Sequence, residues 1–442
     1  MLRGGGWAVG GTFLLSLLGL GINALLSRLL PTGDLGVYFL VISLTALSAA
    51  VAQAGVLQVL LRRVALSPMI NGKVGAAQTL WSVCLYVGVG LTLVCILILA
   101  SFGHWAEVFV PDKPQVGAMV FLIVAWVAVL TFQGVVTEAF RGLHDIRNTF
   151  IFGGVLTNSV FIAMLGAWYA GGYRPMLGDV IAWIVAISFL TMLLGLLLLS
   201  RRVVAVEKGG HIARMKSLYR ESVPLLLSNL LMIVLAQGDL WLVGFYLGSE
   251  ATALYGAAVK LAVLIGMPLN LLNAVLPPYI AQMHAAGKHG ELENILRGSA
   301  GLAGIPAAIL ALIAVFYGGD LLALLYGEHF RQAAPVLAIL CIGYFTHVAL
   351  GSGGLVMMLT GHGKALLATT LLSSAVLLLG GVMAAPHGVV GIALAVACAL
   401  ILQKAIMWLW INSKLGISTH ARINRNTFNV FQSAYGKSNH VN

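Results

Sequence analysis

Residues 179–200 read DVIAWIVAISFLTMLLGLLLLS, a run whose only charge, Asp179, stands at its start. At 1.5 Å of rise per residue such a run makes a helix about 33 Å long, enough to cross a hydrocarbon core of about 30 Å. Working outward in both directions, the same reading recurs at 7–29, 35–61, 76–100, 115–137, 148–170, 222–247, 251–280, 296–317, 332–359, 364–385 and 389–412. Twelve such spans leave little else in 442 residues. The chain is 60% hydrophobic and 9% charged, with a mean hydropathy of +0.99. Soluble domains run near 45–50% apolar and 25% charged. The expected fold is therefore an all-α integral membrane protein, and no water-soluble catalytic domain has room to form.

The first run could be mistaken for a cleaved leader because Arg3 precedes it. A leader's apolar region is usually about 7–15 residues and ends at a small-x-small site. This one is longer and ends in Arg28-Leu29-Leu30-Pro31, so it is expected to stay as a span.

The net charge of +11 is distributed by topology. Of the 25 Lys and Arg, 19 fall in one set of alternate loops and tails, three (Lys113, Arg174, Arg331) in the other, and three (Arg28, Lys260, Lys404) inside spans. Positive charge collects on the cytoplasmic side of a membrane. Both termini are thus expected in the cytoplasm, in a multi-pass protein of the cytoplasmic (inner) membrane. An odd number of spans would erase this asymmetry. The charge calls for membrane lipids as neighbours, not nucleic acid. Cys84, Cys95, Cys341 and Cys398 lie within spans without metal-ligand spacing, so neither a metal nor a disulfide is expected. There is no GxxxxGK[ST] loop for a nucleotide, and nothing in the pattern calls for a cofactor.

The longest polar connection, 201–221, divides the chain into a lobe at 1–200 and a second at 222–412, followed by a tail at 413–442. The halves resemble each other. Leu30-Pro31-Thr32-Gly33-Asp34-Leu35-Gly36-Val37-Tyr38 joins the first two spans, and Leu247-Gly248-Ser249-Glu250-Ala251-Thr252-Ala253-Leu254-Tyr255 joins the seventh and eighth, 217 residues on. Arg141-Gly142-Leu143-His144 and Thr360-Gly361-His362-Gly363 stand 219 apart after the fourth and tenth spans. Six spans per unit is an even number, so the repeats are parallel: two six-helix bundles about an axis along the membrane normal.

A charge at mid-bilayer costs roughly 2.5–3.5 kcal/mol, so each one needs a reason. Asp239 lies about 12 Å below the outer end of the seventh span and Lys260 about 13 Å into the eighth. They can meet at one depth, either as a structural ion pair or as a pair that opens to hold an anion or take a proton. Arg28, near the outer end of the first span, can snorkel to the interface or line a cavity. Beside it Thr12, Ser16, Gly19, Asn23 and Ser27 form one small or polar helix face, suited to helix packing or to a wet lining. Snorkelling to the inner interface is the expected reading of Lys404, beside Gln403. His347 can relay protons or sit hydrogen-bonded in the core. Glu138 and Arg141 suit an interfacial ion pair. Pro268, Pro306 and the glycines 351, 353 and 354 are expected bending points. Three buried cations against one acid favour an anionic cargo such as a phosphate-bearing lipid.

Three stretches carry a resemblance: Ser27-Arg28-Leu29-Leu30-Pro31-Thr32-Gly33-Asp34-Leu35-Gly36-Val37-Tyr38, Gln237-Gly238-Asp239-Leu240, and Tyr255-Gly256-Ala257-Ala258-Val259-Lys260-Leu261 with Pro268 and Pro277 beyond. On them the chain resembles the Wzx-type polysaccharide flippases of the multidrug/oligosaccharidyl-lipid/polysaccharide (MOP) exporter superfamily, over roughly 7–412. The resemblance implies a MATE-like architecture of two bundles working by alternating access. It also implies a polyprenyl-diphosphate-linked oligosaccharide, an O-antigen or exopolysaccharide repeat unit, as cargo. Arg28, Asn23 and Lys260 would face that cargo, and Asp239 would couple transport to H+ or Na+ or pair with a cation. Lys404 and His347 are secondary candidates, and other polysaccharide-assembly proteins are implied as partners. Arg is frequent at the position of Lys260 in similar proteins, and a lysine offers a point charge instead of a fork.

Other readings stay open. A cation-coupled multidrug antiporter of the same superfamily would call for more deep acids than Asp239. A lipid II flippase of the MurJ type tends to have two further spans. A glycan polymerase or glycosyltransferase tends to carry a large outward loop with catalytic acids or arginines, whereas Asp112, Arg174, Asp320, Glu328 and Arg331 are spread over short loops. The basic connection and tail suit anionic headgroups or an assembly partner.

Overall fold

In the computed structural model, residues 2–70, 72–109, 114–202 and 211–422 are described. Residues 203–210 of the basic connection, 423–442 of the tail, and Asp112 and Lys113 lie outside the described residues. The described chain is helical throughout. Its α-helices are α1 (Leu2–Leu29), α2 (Thr32–Gln53), α3 (Val56–Ile70), α4 (Gly72–Phe109), α5 (Val120–Gly142), α6 (Ile146–Phe150), α7 (Leu156–Ala170), α8 (Leu177–Ser200), α9 (His211–Asn273), α10 (Pro277–Ala285), α11 (His289–Tyr326), α12 (Ala334–Ala349), α13 (Gly353–Leu359), α14 (Gly363–Ala384) and α15 (Gly388–Leu415).

Among the described residues ten stretches are long and apolar enough to cross a membrane, and two of them, Ser217–Asn273 and Gly363–Leu415, are more than twice the needed length. The first is broken at Gly248 (φ 83°, ψ −177°) and the second at Ala385–Gly388, where Gly388 takes φ 71°. Each therefore resolves into two crossings, which restores the expected twelve.

Boundaries differ from the hydropathy reading where glycine intervenes. The second span was expected over 35–61, but α2 stops at Gln53, and Ala54 and Gly55 turn with φ 45° and 76°. A side chain at Gly55 would fall 2.5 Å from the Ser222 carbonyl oxygen, so only glycine lets α9 approach here. The expected tenth span divides at Gly351 (φ 76°) into α12 and α13. Neither proline ends its helix, since helical backbone continues through Pro268 and Pro306. The breaks fall at Gly154, Gly248 and Gly351, with a further departure at Tyr317 (φ −118°). A membrane helix absorbs a missing N–H locally, while positive φ is open mainly to glycine.

The chain forms two compact units, 1–253 and 254–442, which divide within α9. In the first unit a core of Val59, Leu60, Val83, Val136, Phe140 and Phe152 joins α3, α4, α5 and the start of the α6–α7 helix. α9 up to Ala253 belongs to this unit. Glu221 pairs with Arg62 (3.1 Å) and Arg63, Tyr86 bonds Ser222 (3.1 Å), and the Trp241 indole donates to Ser43 (3.0 Å). In the second unit Leu292, Leu296, Val356, Met357, Met407 and Ile411 form the core. Outward faces remain apolar, as at Leu97, Phe316 and Leu379, which suits lipid.

The internal repeat is visible in the backbone. The turn at Pro31 recurs at Gly248, and the left-handed residue His144 recurs at Gly361, both 217 residues on. Left-handed Gly172 recurs at Gly388, 216 on. Tyr38 and Tyr255, which open the helices after the first of these turns, are both buried.

Candidate functional site

A cavity of about 600 Å³ opens in the first unit where α1 ends and α2 and α8 begin. Arg28, Asp34, Arg174 and Asp179 supply its charges, and Met119 and Met176 part of its apolar wall. Local sequence places each group. Pro31 stops the first span and sets Asp34 in the first turn of α2, where the helix dipole favours an acid. Gly172 (φ 70°) and Pro175 shape the short loop that carries Arg174. Asp179 accepts the Met176 N–H at 3.0 Å and so caps α8. The Arg174 guanidinium donates to the Arg28 carbonyl oxygen. The site thus holds two guanidinium groups where sequence reading had singled out one. Arg174 was legible only as a loop cation; its place in the fold comes from the Gly171-Gly172 turn.

Asn23 is buried five residues deeper on α1. The hydroxyls of its stripe turn inward on their own helix, Ser16 to the Thr12 carbonyl (3.0 Å) and Ser27 to that of Ala24 (2.8 Å). α1 packs through other positions: Gly11 lies against Phe150 and Gly21 against Ile162, whereas Gly19 faces open space.

Asp239 is 5% exposed on the part of α9 that belongs to the first unit, and its Oδ1 accepts the Leu240 N–H at 2.8 Å. Lys260 is half-buried and belongs to the second unit. They stand nine residues before and twelve after the break at Gly248. Both side chains are engaged.

Lys404 corrects an expectation. Instead of snorkelling to an interface it is buried, 9% exposed, beside buried Gln403. α15 packs on α12, where a side chain on Gly343 would start 3.2 Å from the Ala397 Cα, two turns before Lys404, and the charge of Lys404 acts on His347. The structure thus brings Lys404 and His347 together. The four acids at 254–422 are paired elsewhere: Glu291 with Lys288 (2.9 Å), Glu293 with Arg297 (2.8 Å), and Asp320 and Glu328 with Arg331. That last cluster gathers three residues weighed for an enzyme, but it is exposed and its members are paired with one another. Glu138 and Arg141 form the expected pair at 2.9 Å.

At the opposite end of the first unit Asp145 caps α6. Burial pushes its carboxyl up, but the Asn148 backbone and side-chain N–H groups and Arg202 outweigh this and hold it below the usual carboxylate range.

The family described as "Polysaccharide biosynthesis protein" matches residues 1–284. The chain belongs to this polysaccharide biosynthesis family. A second family, MatE, matches residues 224–385. The family member has the fold of MOP superfamily transporters. A multidrug resistance MATE family transporter of that superfamily, in an inward-facing conformation, superposes with a TM-score of 0.74 at 13% identity, over 91% of this chain and 94% of the other. The lipid II flippase MurJ in an inward closed conformation gives 0.71 at 14%, over 91% and 86%. A MOP superfamily transporter from Pyrococcus furiosus, described as having a binding pocket of reverse polarity, gives 0.63 at 15%, over 94% and 95%. No curated protein matches the sequence.

Proposed function

We propose that this polysaccharide biosynthesis family member is a flippase, not an enzyme. By alternating access it moves a polyprenyl-diphosphate-linked oligosaccharide from the cytoplasmic to the outer leaflet of the inner membrane, with both termini in the cytoplasm. The observation that carries this reading is the pairing of Arg28 with Arg174 in one cavity of the first unit. The two guanidinium groups suit diphosphate oxygens because each offers a planar fork of donors, while of the cavity's two acids Asp179 is occupied in capping α8. Arg28, Asn23 and Lys260 would meet the diphosphate and the first sugars while the prenyl chain stays in lipid. Asp239 would couple the cycle to H+ or Na+. Lys404 would add positive charge within the second lobe, with His347 beside it as a hydrogen-bonding partner for the cargo.

The test is lipid-linked glycan accessibility in cells. Arg28→Glu should leave protein in the membrane yet trap the glycan on the inner leaflet, with surface glycan lowered at least about tenfold, the effect of losing one charged contact. Normal surface glycan in that variant would remove Arg28 from the path.

The MatE match over 224–385 favours a second reading, a cation-coupled multidrug antiporter. That activity needs carboxylates in the membrane, and only Asp239 stands deep within a span. Efflux of a cationic dye, abolished by Asp239→Asn without any change in surface glycan, would select it.

A further inference from the structure

After α15 the chain does not leave the second unit. Gly416 (φ 63°) reverses it, and residues 417–422 run back over the end of the unit. Ile417 and Thr419 are fully buried. The Thr419 hydroxyl donates to the Leu350 carbonyl (2.8 Å), the Ala421 N–H to that of Ala349 (2.7 Å), and the Arg422 N–H to that of Arg297 (3.3 Å). Two of these acceptors are the carbonyls that α12 leaves open where it ends, a group that must find a donor when buried. The Thr419 carbonyl oxygen also lies 2.3 Å from where a side chain on Gly351 would start, and the Arg422 carbonyl oxygen 2.8 Å from the same point on Gly301. The segment is therefore fitted to the α12–α13 break itself.

His420 sits at the centre of this contact. Its Nε2 lies 2.9 Å from Arg297 Nη2, and its Nδ1 3.3 Å from the Trp408 indole nitrogen. A guanidinium and an indole N–H only donate, so a neutral ring accepts from one of the two at a time, and the shorter contact makes Nε2 the acceptor, from Arg297, with the proton on Nδ1. Protonation would turn that acceptor into a donor facing a permanent cation. The charged groups around the ring are Arg297 and Glu293 of α11 and Arg422 of the segment itself. α15 contributes Trp408, and the end of α12 contributes the Ala349 and Leu350 carbonyls that hold the neighbouring Ala421 and Thr419. Glu293 is occupied by Arg297 at 2.8 Å and so offsets the repulsion only in part.

We propose that residues 416–422 are a strap that braces the α12–α13 break and releases it when the solution at that end of the second unit turns acid. Burial, then Arg297 and Arg422, hold His420 below the usual histidine range against the pull of Glu293. The sign follows. The brace is complete above about pH 6.5, the ordinary histidine value, and weakens as pH falls from there toward the lowered value in the folded strap. Release uncovers the Ala349 and Leu350 carbonyls and frees Gly351 to change its backbone angles. This inference does not depend on the identity of the cargo. With the sidedness proposed above, the sensed compartment is the cytoplasm.

Hydrogen exchange on the full-length protein in detergent tests it, comparing residues 349–356 and 416–422 at about pH 8 and about pH 5.5 after correction for intrinsic rates. Both segments should lose protection at the lower pH, by up to about tenfold because pH 5.5 lies one unit below the ordinary histidine value. His420→Gln, whose amide oxygen can still accept from Arg297, should keep protection at both pH values. His420→Lys should lose it at both. Should His420→Lys fail to insert, Thr419→Val supplies the control: lower protection throughout, with the pH response retained. Equal protection of the unmodified protein at the two pH values overturns the proposal, as does an unchanged pH response in His420→Gln.

Discussion

Lys404 shows how little a residue's distance from an interface says about its surroundings. It lies eleven residues before the end of α15, within reach of the interface by length, yet its side chain is directed into the seam with α12. Which helix face a residue occupies is set by tertiary packing, and hydropathy does not report it. A polar amine in such a seam, far from any of its unit's acids, lowers stability unless it serves the cycle. Lys404→Met should therefore raise the unfolding free energy by about 1–3 kcal/mol while reducing export. A thermal melt in detergent paired with a surface-glycan assay measures both. Loss of stability with full export would show that Lys404 is a packing residue. Arg174 teaches the complementary point. Its sequence gave sidedness alone, and the partnership with Arg28 arises because the loop after α7 folds back over the end of α1.

At the level of elements, glycines and not prolines decide where helices break, because the break requires positive φ and close approach. The α6–α7 helix is the clearest case. It holds a π turn at Ile151–Val155 with Gly154 at φ 137°, and the buried Gln133 amide of α5 donates to the Phe152 carbonyl at 2.9 Å. Such turns recur at functional sites in helices. α1 leans on both sides of this break, through Gly11 on Phe150 and Gly21 on Ile162, so its geometry bears on Arg28 and Asn23. Gln133→Leu strands a buried carbonyl and should cost about 1–3 kcal/mol, seen as a lower melting midpoint. Gln133→Glu should cost more, because an ionised carboxylate cannot donate. A melt unchanged by Gln133→Leu would mean the turn needs no clasp. The sequence placed a span here but could not show the turn, since Gly153-Gly154 reads equally well as a packing pair.

For the whole molecule, the number of crossings and the family were legible in sequence because lipid imposes a long, repeated apolar signal and a charge asymmetry. The cavity was not, because it depends on loops of a few residues whose course hydropathy ignores. Turns recur at three places at offsets of 216–217 residues, and at two of them, His144 with Gly361 and Gly172 with Gly388, the positive φ is kept as well. His144 and Gly361 are the informative pair. Both are left-handed, with φ of 59° and 83°, but only the second residue is suited to it. His144→Gly should accordingly raise stability by about 0.5–1 kcal/mol, the relief of left-handed strain less the entropy glycine adds to the unfolded chain. An unaltered or lowered melting midpoint would count against equivalence of the two turns. The consequence reaches past one position. A protein with two copies of one backbone plan contains its own consensus library: each half records replacements already tolerated at matching sites of the other, and an engineer could harvest them without any related sequence in hand.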